Sequence, residues 1–195
     1  MATMQHAYRL VFAACLLAAG WLLMQIVHEA GHVAGAWLVG ARIERVVLHP
    51  LAISRTDVAA NDNPLLVTWA GPLLGMLVPL AAWLACPRRW STARSLAAAF
   101  AGFCLIANGL YLAGGAGAGI GDCGVLLQHG AALWQLWLVG GVSAVAGLGI
   151  WDRLGSPGAW WRGARISGRQ ALAAAGVVAT IVVAELVATA LQQTG

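Results

Sequence analysis

Residues 24–35 read Met24-Gln25-Ile26-Val27-His28-Glu29-Ala30-Gly31-His32-Val33-Ala34-Gly35, inside an apolar run that extends from about 10 to 40. As a helix at 1.5 Å per residue the run covers roughly 45 Å, more than the roughly 30 Å of a bilayer's hydrocarbon core, so the span is tilted, broken or continues past the membrane. Within it, His28 and His32 stand one turn apart on one face, where two imidazoles can converge on a single tetrahedral zinc. Glu29 lies about 100° round the helix, near enough to take a proton from a water at that metal. Three polar groups this deep in apolar sequence are costly and read as functional. The alternative is a self-paired or solvated histidine couple at a helix end.

The chain around this motif has the composition of a multi-pass membrane protein. Of its 195 residues 61% are hydrophobic and 9% charged, and mean hydropathy is +0.79, outside the range of soluble domains. The basic residues are all arginine, and a net charge of +4 is scattered over short connections, which argues against a nucleic-acid partner. Cys15, Cys86, Cys104 and Cys123 form no CxxC pair and are expected to be free thiols. The first apolar run has no small-residue cleavage site and is too long for a signal peptide, so it is expected to remain as an anchor.

Working outward, residues 41–63 carry the charges Arg42, Glu44, Arg45, Arg55, Asp57 and Asp62 around a β-branched core at 46–53. A short strand pair lying against the membrane, closed by the turn signal Asn61-Asp62-Asn63-Pro64, and an irregular connection fit this stretch equally well. His49 reads as an interfacial histidine. A second span at about 65–86 contains Ala70-Gly71-Pro72-Leu73-Leu74-Gly75, where Pro72 removes a backbone donor and the glycines permit close approach. A third at about 95–113 includes Asn108, whose amide needs a partner in lipid. Residues 114–121, Gly-Gly-Ala-Gly-Ala-Gly-Ile-Gly, are not expected to hold a helix on propensity.

Asp122 follows immediately and is the only acidic residue between Asp62 and Asp152. A carboxylate in so apolar a stretch calls for a compensating cation, and two histidines with a carboxylate make a catalytic zinc shell. The competing role is a helix N-cap for Cys123-Gly124-Val125-Leu126-Leu127. Cys123 and His129 are further candidate ligands. A fourth span at about 131–151 is flanked by Trp134, Trp137 and Trp151, which fit an interfacial belt. Residues 152–169, with Trp160, Trp161, Arg162, Arg165 and Arg169, form a basic connection for a headgroup surface. The last span, about 170–191, holds Glu185, which is expected to reach the interface in preference to a catalytic role. The expected fold is therefore an all-α polytopic membrane protein of about five transmembrane helices, with a short membrane-associated β-hairpin after the first as one reading of 41–63. One integral membrane domain fills residues 1–195, with a core over about 10–130 and accessory spans over about 131–195.

The order of these pieces, HExxH in one span, Ala70-Gly71-Pro72 in the next, then Asn108 and Gly121-Asp122-Cys123-Gly124, resembles the site-2 protease family of intramembrane zinc metalloproteases, in particular its small bacterial members. The likeness covers about residues 20–130. It implies one zinc per chain on His28, His32 and Asp122, Glu29 as catalytic base, Asn108 as a substrate-orienting residue, and a substrate that is a transmembrane segment of another membrane protein. It also implies residence in a bacterial cytoplasmic membrane; oligomeric state is left open. The family's proline-rich approach to Leu-Asp-Gly is replaced here by Gly-rich sequence and Ile120-Gly121-Asp122-Cys123.

Two expectations about orientation oppose each other. Eight arginines fall on the N-terminal side of a five-span arrangement against three on the other, which puts the N-terminus in the cytoplasm. A zinc facing the cytoplasm, as the family usually has it, needs the N-terminus outside. Two rival functions remain at this stage. One is a prenyl-protein-type membrane metalloprotease, which would take its third ligand from a downstream glutamate, here Glu185. The other is a non-proteolytic protein that keeps zinc to bind or regulate a membrane partner, a role that gives Glu29 nothing to do.

Overall fold

A computed structural model describes residues 2–156 and 163–191. In chain order the elements are α1 (Ala2–Leu38), β1 (Ile43–Val47), β2 (Arg55–Val58), α2 (Pro64–Ala85), α3 (Ser91–Ala118), α4 (Gly121–Gln128), α5 (Leu133–Arg153) and α6 (Gly168–Leu191). All of these helices but α4 are long and apolar enough to cross a membrane, and large apolar side chains such as Leu17, Trp37, Leu84, Val145 and Leu172 point outward. The chain is an integral multi-pass membrane protein, almost all α-helical, with one antiparallel hairpin after the first helix. Trp160, Trp161 and Arg162 lie outside the described residues.

The first helix is continuous over 37 residues, about 55 Å at 1.5 Å per residue. The apolar run is carried by this one unbroken helix. Gly31 and Gly35 let it sit directly on α2: a Cβ at Gly31 would strike the Ala70 carbonyl, and one at Gly35 would lie 2.7 Å from the Ala70 Cβ. The last helix, α6, runs parallel to α1. Gln5 Nε2 and Arg9 Nε donate to the Ile166 and Ala164 carbonyls at its start, and Thr189 Oγ1 donates to the Leu48 carbonyl at its end.

Helices α3 and α5 pack through glycines repeated at heptad spacing on both. A Cβ on Gly109 would lie 2.6 Å from the Gly140 carbonyl and one on Gly147 would lie 2.6 Å from the Gly102 carbonyl. Small residues allow this backbone approach, which is how helices gain packing energy in lipid, where burial supplies little drive. Trp151 joins the same contact: its Nε1 donates to the Ala99 carbonyl at 2.9 Å and its ring stacks on Phe103. Of the three tryptophans assigned to an aromatic belt, Trp134 and Trp137 are exposed, whereas Trp151 is also an interhelical clasp.

The Gly-rich stretch departs from expectation. Residues 114–118 are helical, and α3 ends only at Gly119, which takes a left-handed φ of 61° and donates to the Gly115 carbonyl. Three helical glycines cost about 3 kcal/mol against alanine, but each unpaired backbone group in a membrane interior costs several kcal/mol. The backbone therefore stays helical. Gly121, with φ of 55°, then turns the chain into α4.

The hairpin also differs in register. The strands are 43–47 and 55–58, so most of the β-branched 46–53 segment forms the connection between strands and not the strand itself. His49 is in that connection, accepting at Nδ1 from the Leu51 N–H. Asn61 Oδ1 accepts from the Asn63 N–H at the turn that follows, and α2 begins with Pro64 in its first turn, where the missing donor costs nothing.

Candidate metal centre

His28 and His32 project from α1 toward α4, and Asp122 meets them from the first turn of α4. His28 Nε2 and His32 Nε2 are 3.2 Å apart, and Asp122 Oδ2 lies 3.0 Å from the first and 3.3 Å from the second. A tetrahedral ion with bonds near 2.0–2.1 Å places its ligand atoms about 3.3 Å apart, so this triangle has the dimensions of three corners of a zinc shell. Asp122 is not an N-cap. Ile120 occupies that position, and the Asp122 carboxylate is turned to the histidines.

The hydrogen bonds behind the triangle set the tautomers. His32 Nδ1 is 2.9 Å from the Val67 carbonyl, which can only accept, so Nδ1 carries the proton and Nε2 a lone pair. Asn108 Nδ2 donates to the Cys104 carbonyl, which orients the amide so that Oδ1 faces His28 Nδ1 at 2.7 Å. His28 Nε2 therefore also bears a lone pair. Two imidazole lone pairs and a carboxylate oxygen converge with no proton between them, a donor set that fits a divalent cation.

Helix α2 is shaped to receive these side chains. A Cβ on Gly71 would collide with the His32 ring, and a Cβ on Gly75 would lie 3.1 Å from the Asn108 amide. The Gly-Pro segment, which packing alone could have explained, thus makes the seat for one imidazole and for the residue that orients the other.

Two residues that sequence reasoning passed over belong to the site. Tyr111 Oη accepts from the Asp122 N–H at 2.9 Å and its ring stands edge-on to His28; a Cβ on Gly121 would strike that hydroxyl. Tyr111 lies three residues after Asn108, on the same helix face, which is the signal that could have found it. Thr56 of β2 donates to Glu29 Oε2 at 2.7 Å, and no sequence signal marks it.

The remaining candidates are placed elsewhere. Cys123 directs its sulfur to the Leu112 carbonyl, and burial pushes its thiol up to about 11. His129 lines the cavity, its Nδ1 donating to the Val125 carbonyl. Glu185 is 2% exposed, on α6, with both oxygens lacking a hydrogen-bond partner among the described residues. It is buried, and it does not line the cavity at the triangle. All four cysteines are free. Among the described residues, His28, His32 and Asp122 are the one group of three donors close enough to share an ion.

A cavity of about 760 Å³ opens onto the triangle, lined by Trp21, Glu29, Thr56, Val58, Asn108 and Tyr111 among others. Its wall includes the free edge of β2, since the sheet has only two strands. The Ala59 N–H donates to the Arg42 carbonyl, so the odd-numbered residues of this stretch turn their backbone groups to β1. The Ser54 N–H donates instead to Gln25 Oε1 on α1. By the two-residue alternation of a strand, the N–H and C=O groups of Thr56 and Val58 lie on the open edge.

The buried triangle with Glu29 beside it, set in five apolar helices, resembles the site-2 protease architecture. Comparison of the chain with protein-family models, curated proteins and solved structures returns no match.

Proposed function

We propose that this protein is a zinc-dependent intramembrane endopeptidase of the site-2 protease type, one zinc per chain, cutting transmembrane segments of other membrane proteins in a bacterial cytoplasmic membrane. The observation that carries the reading is the convergence of His28 Nε2, His32 Nε2 and Asp122 Oδ2 on one point beside Glu29, at the wall of a cavity inside apolar helices. Zinc bound there would lower the pKa of a water and polarise a peptide carbonyl.

The chain's own groups supply the rest. Among the described residues Thr56 is the one hydrogen-bond partner of the Glu29 side chain, and it binds Oε2; Oε1 is left to accept the proton of the attacking water and pass it to the leaving amine. A substrate helix must unwind, because its carbonyls are otherwise hydrogen-bonded. The open backbone groups of Thr56 and Val58 can hold it extended as an added strand. Glu29, at 5% exposure, lines the cavity beside the triangle.

The test is metal content and cleavage of a reporter transmembrane peptide reconstituted with wild type, Glu29→Gln, Asp122→Ala and Glu185→Ala. Glu29→Gln keeps zinc and loses cleavage, Asp122→Ala loses zinc, and Glu185→Ala keeps both. Zinc loss in Glu185→Ala but not in Asp122→Ala would transfer the reading to the prenyl-protein type. Zinc binding with no cleavage by wild type would favour a binding or regulatory protein.

A further inference from the structure

The base of the site is fastened to an element outside the motif. Thr56 Oγ1 lies 2.7 Å from Glu29 Oε2 and 3.4 Å from the Glu29 backbone carbonyl, so the hydroxyl sits over the turn of α1 that carries the base. Thr56 is near the centre of β2, and its backbone N–H and C=O face the open edge at the cavity. One residue thus presents its side chain to the base and its main chain to the space a peptide would fill. The strand is itself anchored: Gln25 Oε1, one turn before Glu29 on α1, accepts from the Ser54 N–H at 3.0 Å.

We infer that Thr56 is a positioning residue that ties the general base to the strand on which the substrate is laid. The inference rests on the endopeptidase reading above and says how that site keeps its register. A glutamate has three side-chain torsions, and a carboxylate anchored at one oxygen presents the other in a fixed direction. A peptide paired with the Thr56 main chain then has its backbone placed relative to the same residue that aims Glu29 Oε1. An error of about 1 Å in such an arrangement costs on the order of 100-fold in rate, so loss of the anchor acts on turnover more than on binding.

The test compares Thr56→Val, which keeps the β-branched shape and loses the donor, with Thr56→Ser, which keeps the donor. Both are measured on a fluorogenic transmembrane peptide that wild type cuts and Glu29→Gln does not. Thr56→Val is expected to lower kcat about 10- to 100-fold with KM within about 2-fold of wild type, and Thr56→Ser to recover most of kcat. Zinc per chain stays equal in all three. A readout independent of turnover is the infrared band of the Glu29 carboxyl, identified as the band lost in Glu29→Gln. It shifts in Thr56→Val and returns in Thr56→Ser. A Thr56→Val protein with wild-type kcat, or an unshifted band, overturns the inference while leaving the endopeptidase reading intact. A wild type that cuts no membrane peptide overturns that reading first, and this one with it.

Discussion

Gly71 of α2 and His32 of α1 are in such close contact that no side chain fits between them: a Cβ on Gly71 would occupy the space of the imidazole's Nε2. The nitrogen that points to the metal triangle is thus the atom that forbids any residue but glycine at 71. Gly71→Ala is expected to reduce zinc affinity at least tenfold, with a stability loss of about 1–3 kcal/mol from overpacking. Zinc titration in detergent, beside thermal unfolding of the metal-free protein, separates the two effects. Unchanged affinity would mean that His32 does not face the metal.

Asn108 is spent on His28 and the Cys104 carbonyl, at 1% exposure. Its amide holds the tautomer of a candidate ligand. Asn108→Ala should therefore lower zinc affinity by about 10- to 100-fold, the usual cost of losing a group that orients a metal-bound histidine. A substrate-orienting role alone would leave zinc affinity untouched and raise KM, so titration and steady-state kinetics on one variant decide between them.

The heptad glycines of α3 and α5 predict a stability effect away from the site. A Cβ at Gly147 meets the Gly102 carbonyl at 2.6 Å and the Ile106 side chain at 2.7 Å, whereas one at Gly149 meets nothing within 4 Å. Gly147→Ala should destabilise by about 1–3 kcal/mol, whereas Gly149→Ala should stabilise by up to about 1 kcal/mol, the helical cost of glycine against alanine. Unfolding in mixed micelles measures the difference. Zinc per chain should match wild type in both, because α5 supplies no ligand.

Much of the candidate site is legible in local sequence because its spacing is helical. His28 and His32 are bound to share a face in any helix, Glu29 is bound to sit beside them, and an apolar run this long has few folds open to it in a membrane, where every backbone group must be paired internally. Propensity misled at residues 114–118 for the same reason, since the cost of unpaired backbone in lipid exceeds the preference of glycine for coil. The hairpin at 41–63 was recognisable in kind but not in register, because the β-branched core that marks strands elsewhere here crosses between them; Arg45 pairs opposite Asp57, and Ser54 is tied to α1 through Gln25.

What the sequence by itself determined is the class of protein and the polar pair in its first helix, both properties of spacing and composition within a few turns. Tertiary structure alone decided which distant groups complete the set. Asp122 is 94 residues from His28, Asn108 is 80, and Thr56 is 27 from Glu29. Each is brought in by how closely two helices or a strand and a helix approach. That approach depends on whether the glycines at 31, 35, 71 and 75 face a neighbour or lipid, and a one-dimensional pattern does not carry this.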